Sequence, residues 1–439
     1  MTRDSHIALR FQIVFRSLKY RNYRLFFYGQ SISLIGTWMQ RIAIPWLVYR
    51  LTGSAMLLGI SGFAGQLPSL FLSPFAGVLT DRWNRYNVLL WTQILAMVHA
   101  FFLAWLVLSG NVMVWQIIAL SFFIGCISAF EIPARHSFVI DMVERKEDLG
   151  NAIALNSLMF NGARLIGPSI AGVLLAAAGE GICFLINGIS FLFVIGSLLA
   201  MKLEKKEIDR IKSDIGNELR EGFNYTFGFL PIRHLILLLA LVNIMVMFYS
   251  TLMPVFAKEI LAGDSHTYGF LMGAAGFGAL IGAIFLASRE TVLKLGRIVP
   301  AAVIVFGTGL VILSFSRIFA LSLLVMVFVG MGLMLQAASS NTILQTITDD
   351  DKRGRVMSFY TMAIMGTAPF GSLLAGWLAK SIGTPFTIMI GGVFSIAGAL
   401  IFLRRLPELK QIVRPIYIKM GIIREVAEGI QNASEKEIY

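Results

Sequence analysis

Three charged side chains lie inside long apolar stretches of this 439-residue chain, and these could do chemistry. Arg41 falls within 24–49, Glu131 near the end of 112–133, and Arg164 within 152–178. A charge at the centre of a bilayer costs about 2.5–3.5 kcal/mol on insertion scales, so it is kept where it has a partner or a task. Arg164 sits roughly half a bilayer in from Asn151 at about 1.5 Å per residue. Ser157, Asn161, Arg164 and Pro168 share one helical face. Two readings stand for Arg164: it faces a cavity and meets an anion or a gating carboxylate, or it ties its helix to neighbouring carbonyls. Gln30, Ser33, Thr37, Gln40 and Arg41 recur at spacings of three and four and make another polar face. That face either lines a substrate cavity or hydrogen-bonds to other helices. Asn243, followed by Met247, Ser250 and Pro254, and Gln336, followed by Ser339 and Ser340, are weaker cavity candidates. Proton coupling needs a group that changes charge inside the bundle. Of the 25 acidic residues only Glu131 lies within a span interior, so it is the proton-coupling candidate. His99 is the other titratable group there, read as a packed structural residue. With Arg41 and Arg164 buried and few acids beside them, the cavity is expected to be net positive, favouring neutral or anionic substrates over cationic ones.

The elements that must position these groups are membrane helices. The chain is 57% hydrophobic and 14% charged, against about 25% charged in a soluble domain. Lipid must therefore solvate much of its surface. Twelve spans are expected, at 24–49, 55–79, 87–108, 112–133, 152–178, 182–201, 234–257, 267–287, 297–316, 318–345, 356–379 and 384–403. Each is about as long as a bilayer demands, and in lipid each must be helical. Of the 37 Lys and Arg, 31 fall on one face if the N-terminus is cytoplasmic. This bias predicts both termini in the cytoplasm and explains the net charge of +12 without nucleic acid. Six glycines, Gly150, Gly162, Gly167, Gly172, Gly179 and Gly188, each have a glycine 204 residues later. Only eight glycines lie between Gly150 and Gly196, so the repeat predicts two related halves with a site between them. The expected organisation is an N-terminal segment at 1–21, a six-helix bundle at 22–202, a linker with a surface helix at 203–232, a second bundle at 233–405 and a cytoplasmic tail at 406–439. Leu219, Phe223, Phe227 and Leu230 give the surface helix its apolar face, and Ile422, Val426 and Ile430 give the tail a similar spacing. Cys126 and Cys183 both fall inside spans and form no disulfide framework or metal site. The first 21 residues lack the apolar core of a signal peptide.

Between the second and third spans the chain reads Gly77, Asp81, Arg82, Asn84 and Arg85 within nine residues. This resembles the loop signature of the major facilitator superfamily. It departs at Asn84, where the family has a second glycine and where asparagine can still take a left-handed turn, and at Tyr86, where it has a basic residue. Other stretches narrow the resemblance: Trp38 to Tyr49, Pro133 to Arg135, Asn151 to Asn156, Asn161 to Pro168 and Arg353 to Val356. Together they look like the branch containing enterobactin exporters and macrolide-efflux proteins, over nearly the whole chain to about residue 405.

The resemblance implies an all-α membrane protein of twelve helices in two pseudo-symmetric six-helix bundles. It also implies export of an amphipathic small molecule, such as a siderophore or drug, by alternating access, with protons as the coupling ion. A gate is expected from Gly77, Asp81, Arg82, Arg85, Glu131 and Arg135, with Asp81 pairing Arg135 or the helix dipole of the eleventh span. The alternative is that these charges only fix topology. Uptake or facilitated diffusion on the same scaffold, or lipid or lysolipid transport, are the rival functions. No metal cluster, nucleophile constellation or phosphate loop is present in the sequence, so neither an enzyme nor a cofactor is expected. A monomer in the bacterial plasma membrane, with the lipid bilayer and a small-molecule substrate as partners, completes the expectation.

Overall fold

The computed structural model describes residues 16–202, 215–289, 291–349 and 352–420, without the side chains of 73–74, 77–82, 146 and 215–220. Helices α1 (Arg21–Thr52), α2 (Ala55–Arg82), α3 (Arg85–Leu108), α4 (Val114–Asp141) and α5 (Lys146–Leu199) form the first half. Helix α6 (Ile215–Gly228) lies where the linker periodicity predicts a helix. The second half holds α7 (Leu230–Val255), α8 (Ser265–Ala287), α9 (Leu295–Phe315), α10 (Phe319–Ile347), α11 (Arg353–Met365), α12 (Ala368–Ile382) and α13 (Thr384–Lys419). Among the described residues there is no strand.

Among the described residues ten helical stretches, α11 and α12 counted together as one, are long and apolar enough to cross a bilayer, against the twelve expected. Two features account for the difference. Helix α1 carries the polar stripe and is not among the ten. Helix α5 is continuous over 54 residues except at Gly179, where φ is 78° and ψ is 176°. At about 1.5 Å per residue an unbroken α5 would be about 80 Å long, far more than a hydrocarbon core of about 30 Å. Its packing shows a reversal instead. Tyr23 Oη donates to the carbonyl of Ala152, and Asn22 Nδ2 donates to that of Lys202, so both ends of α5 meet the start of α1. A left-handed φ suits glycine, which has no Cβ to clash. Gly383, the repeat mate of Gly179, has φ 85° and joins α12 to α13 by the same device.

Three further elements differ from expectation. The eleventh span is broken at Gly366 and Thr367 into α11 and α12. Pro369, near the start of α12, lacks an N–H, and Asn243 Nδ2 donates to the carbonyl of Ile364 and, at 3.2 Å, to Thr367 Oγ1. Helix α13 runs past residue 406, where the tail is expected to begin, because Leu406, Leu409 and Val413 are buried against the second half. Asn84 is extended, with φ −68°, rather than left-handed; its side chain caps α3 by accepting from the N–H of Tyr86 and Asn87, which would otherwise lack partners. Ile422, Val426 and Ile430 of the tail, and residues 1–15, lie outside the described residues.

The halves meet along two seams. Helix α5 packs on α8, and α2 packs on α12. Glycines permit the close approach: a Cβ on Gly269 would fall 2.4 Å from Gly172 Cα, and one on Gly376 would fall 2.9 Å from Gly59 Cα. This is the small-residue packing that membrane helices use in place of a hydrophobic driving force.

Candidate functional site

The span charges converge between the halves. Arg41 is exposed although Met39, Gln40 and Ile42 beside it are buried. It lies within electrostatic range of Glu131, Arg135 and Arg164. Arg164 in turn acts on Tyr249 of the second half, and a Cβ on Gly276 of α8 would come within 2.8 Å of its carbonyl oxygen. The two guanidinium carbons stand 4.9 Å (Arg41) and 5.8 Å (Arg164) from the centre of the Trp38 ring. That indole is held by an edge contact with Phe160 at 5.6 Å. Cations over an indole face are favoured by its quadrupole. Among the described residues neither guanidinium donates to a carboxylate or carbonyl, so ten N–H donors in all, five on each, are open to a ligand or water.

Glu131 is engaged within its own helix. Arg135 Nε donates to its carboxylate at 2.7 Å, one helical turn away, and Arg135 is 5% exposed. Three guanidiniums and one carboxylate therefore share this region, which is net positive. Arg85 pairs with Asp141 at 3.4 Å. Gly77, Asp81 and Arg82 lie in the last turns of α2, but their side chains lie outside the described residues, so the expected Asp81 gate contact does too.

The other candidates separate into two groups. Thr37, Asn161 and Asn243 are half-buried, whereas Gln30, Ser33, Gln40 and Gln336 are buried. Gln40 Oε1 accepts from Asn187 Nδ2 at 2.8 Å, and its Nε2 lies 3.5 Å from His99 Nδ1, so it belongs to a polar core joining α1, α3 and α5. Asn161 Nδ2 donates to the carbonyl of Ser157 on its own helix. Gln30 Oε1, Ser33 Oγ, Gln336 Nε2, Ser339 Oγ and Ser340 Oγ are buried without a partner among the described residues. Such groups are costly unless water or a ligand satisfies them. The structure thus brings Arg41, Glu131, Arg135 and Arg164 together and leaves Gln40 and Asn243 in helix-joining roles.

Sequence reasoning missed the far ends of the spans, the ends remote from the linker. Tyr49 Oη donates to Glu259 Oε1 across the halves, with Lys258 Nζ 5.7 Å from the Tyr49 ring centre. Trp46 stacks on Tyr268, 5.9 Å between centroids. Gln66 Nε2 donates to Ser372 Oγ at 3.2 Å across the α2–α12 seam. Within the first half, Arg50 meets Glu180 at 2.6 Å. At the linker end, Asp148 takes Lys19 at 2.6 Å, Arg16 at 2.7 Å and the Tyr20 hydroxyl at 2.7 Å. The hydrogen bond to Asp148 holds the Lys19 ammonium above its ordinary pKa. The signal is present in the charged and polar residues near paired span ends, but sequence distances of 128 to 306 residues hide such pairings. The described residues contain no group of three His, Cys, Asp or Glu able to hold a metal.

Known proteins share this architecture. Over 387 residues the chain is 26% identical to the staphyloferrin A transporter of Staphylococcus aureus, covering 86% of this chain and 95% of that one. It is 23% identical to macrolide efflux protein A of Streptococcus pyogenes, covering 87% and 96%. The solved structure of the POT family transporter PepTSo superposes with a TM-score of 0.69 at 15% identity, over 89% of this chain and 99% of that one, and shows the fold alone. The family described as transmembrane secretion effector matches residues 14–417. With long apolar helices packed in this architecture and the family match over residues 14–417, the chain is a multi-pass membrane transporter of the major facilitator fold and belongs to the transmembrane secretion effector family.

Proposed function

We propose that this transporter exports amphipathic small molecules bearing a carboxylate or similar anion, by alternating access across the plasma membrane. The observation that carries the reading is the pair of guanidiniums at Trp38 with no acceptor among the described residues. An anion meeting Arg41 and Arg164 would form charge-assisted hydrogen bonds, and its apolar part would lie on Trp38 and Phe160. The relatives, a staphyloferrin A transporter and a macrolide efflux protein, support efflux of such molecules. The chain is read as twelve crossings by one monomer, with both termini and the linker in the cytoplasm. The bundles are 22–202 and 233–405, with α13 continuing from the second to Lys419.

In this reading the described conformation is closed outside and open to the cytoplasm, because the cross-half hydrogen bonds among the described residues lie at the far end and near mid-span. Binding energy contributes to transport only through a difference between the two states. Glu131 is the proposed proton carrier: its pairing with Arg135 would be lost on protonation, freeing Arg135 to meet the substrate or Asp81. Energy then comes from a proton gradient, and Asp81 with Gly77, Arg82 and Arg85 gates the cytoplasmic side.

The test is uptake into everted vesicles of matched amphipathic probes, one a carboxylate and one an amine, with and without a pH gradient. Accumulation of the carboxylate, lost in Glu131→Gln, is expected. Preference for the amine, or uptake only into right-side-out vesicles, would overturn the reading.

A further inference from the structure

We infer that Trp38 is a positioning residue of the anion site: its indole holds Arg41 and Arg164 in place between substrates without using up their N–H donors. The inference rests on the proposed anion reading of that site and adds what keeps the site ready. Two guanidiniums within electrostatic range repel each other, most strongly away from water. The ordinary remedy is a carboxylate, as Arg135 has in Glu131 at 2.7 Å. Such a partner would occupy the donors that an anion needs. Arg41 and Arg164 have an aromatic ring instead, with guanidinium carbons 4.9 and 5.8 Å from its centre. The negative face of an indole attracts a cation through its charge, so the planar fork of N–H groups stays available.

The indole is itself held by the two helices that carry the arginines. Trp38 and Arg41 are three apart on α1, and Phe160, Arg164 and Gly167 follow at four and three on α5, so each set shares a helical face. Phe160 meets the Trp38 ring edge-on, 5.6 Å between centroids. A Cβ on Gly167 would fall 2.5 Å from Trp38 Cβ and 3.1 Å from the Ile35 carbonyl oxygen, so a glycine lets α5 come this close. The second half shows that the frame does not need the ring and its cations. Gly371, the repeat mate of Gly167, keeps a tight contact, with the Ile244 carbonyl at 2.9 Å, but Ile364 and Ala368 stand where the first half has Phe160 and Arg164. The glycine belongs to the shared frame, and the aromatic and cationic members are particular to the first half.

The test compares two rings of closely similar size in place of Trp38: Trp38→Phe, and pentafluorophenylalanine inserted by nonsense suppression, whose fluorines withdraw the negative charge of the ring face. Uptake of a carboxylate probe and a matched neutral probe into everted vesicles gives KM and maximal rate for each protein. Thermal unfolding checks that each folds. The fluorinated ring should raise KM for the carboxylate about five- to tenfold over Trp38→Phe, at nearly the same maximal rate. For the neutral probe the two rings should agree with each other within about twofold. Trp38→Met, apolar and without a ring, should show the same carboxylate defect as the fluorinated protein. Equal carboxylate KM for the two rings would overturn the inference and leave the anion reading standing. A KM raised equally for both probes would also overturn it, marking the indole as packing alone. A wild type that does not favour the carboxylate over the neutral probe would fail the anion reading itself, and the inference with it.

Discussion

The far end and the linker end of the boundary between the halves are built differently. At the far end the halves bond to each other through Tyr49 and Glu259 and the stack of Trp46 on Tyr268, with Gln66 bonding to Ser372 further in, near mid-span. Backbones approach there until no Cβ fits at Gly172, Gly269, Gly59 or Gly376. At the linker end the charge pairs among the described residues join parts of one half, or the linker helix to the second half: Asp148 with Lys19, Arg85 with Asp141, Glu221 with Arg355. The repeated glycines also differ in how tightly each is packed. A Cβ at Gly150, Gly162 or Gly354 would meet nothing within 4 Å, whereas at Gly167 it would meet Trp38 at 2.5 Å and at Gly371 the Ile244 carbonyl at 2.9 Å. The difference teaches that one end is a closed contact between halves, whereas the charge pairs described at the other brace each side separately. Packed interfaces are bistable rather than continuously deformable, so such an asymmetry marks one of two states.

The comparison can be broken most severely at the far-end seam. Gly172→Leu should slow transport by about 10- to 100-fold, since overpacking costs about 1–3 kcal/mol and falls on the state in which α5 and α8 touch. Labelling of a far-end cysteine should rise with it; unchanged transport and labelling would refute the role of that seam. Arg164→Gln removes one of the two guanidiniums between the ends. It should lower transport of a carboxylate probe by roughly tenfold or more while leaving a neutral probe within about twofold, as expected for a hydrogen bond to a charged group of about 1.5–3 kcal/mol. Tyr49→Phe deletes a single cross-half hydrogen bond, worth about 1 kcal/mol. Far-end accessibility should increase about fivefold, and no increase would show that the stacking and glycines alone close that end. Gly162→Ala should be nearly silent, within about 1 kcal/mol and on the stabilising side. A marked loss of thermal stability there would mean that the linker-end glycines are packed after all.

Much of the architecture is legible because lipid imposes it. Apolar stretches of bilayer length must be helices, and the 204-residue glycine offset marks the two halves before any contact is known. The structure gives that offset its physical reasons: left-handed turns at Gly179 and Gly383, and tight contacts at Gly167, Gly172 and their mates. Arg41 and Arg164 are legible as charges that need a purpose. Their shared partner Trp38 is less so, since aromatic residues are common here and only the fold places this indole by both guanidiniums. Gln40 shows the limit of periodicity. Its spacing puts it on the polar stripe of α1, yet Asn187 on α5 turns it toward the core. The break at Gly366 and Thr367 and the run of α13 through residue 419 depend on neighbouring helices, which a linear pattern does not contain.

A reversible cross-link across the far-end seam tests the central claim that the halves must part there in every cycle. A Cβ built on Gly62 of α2 lies 3.0 Å from Ser372 Cβ on α12, close to the span of about 3.5–4.5 Å that a disulfide bridges. With Cys126 and Cys183 replaced by serine, Gly62→Cys/Ser372→Cys should oxidise readily, lose transport when oxidised, and recover it on reduction. Transport at the unmodified rate by the fully cross-linked protein would contradict the account.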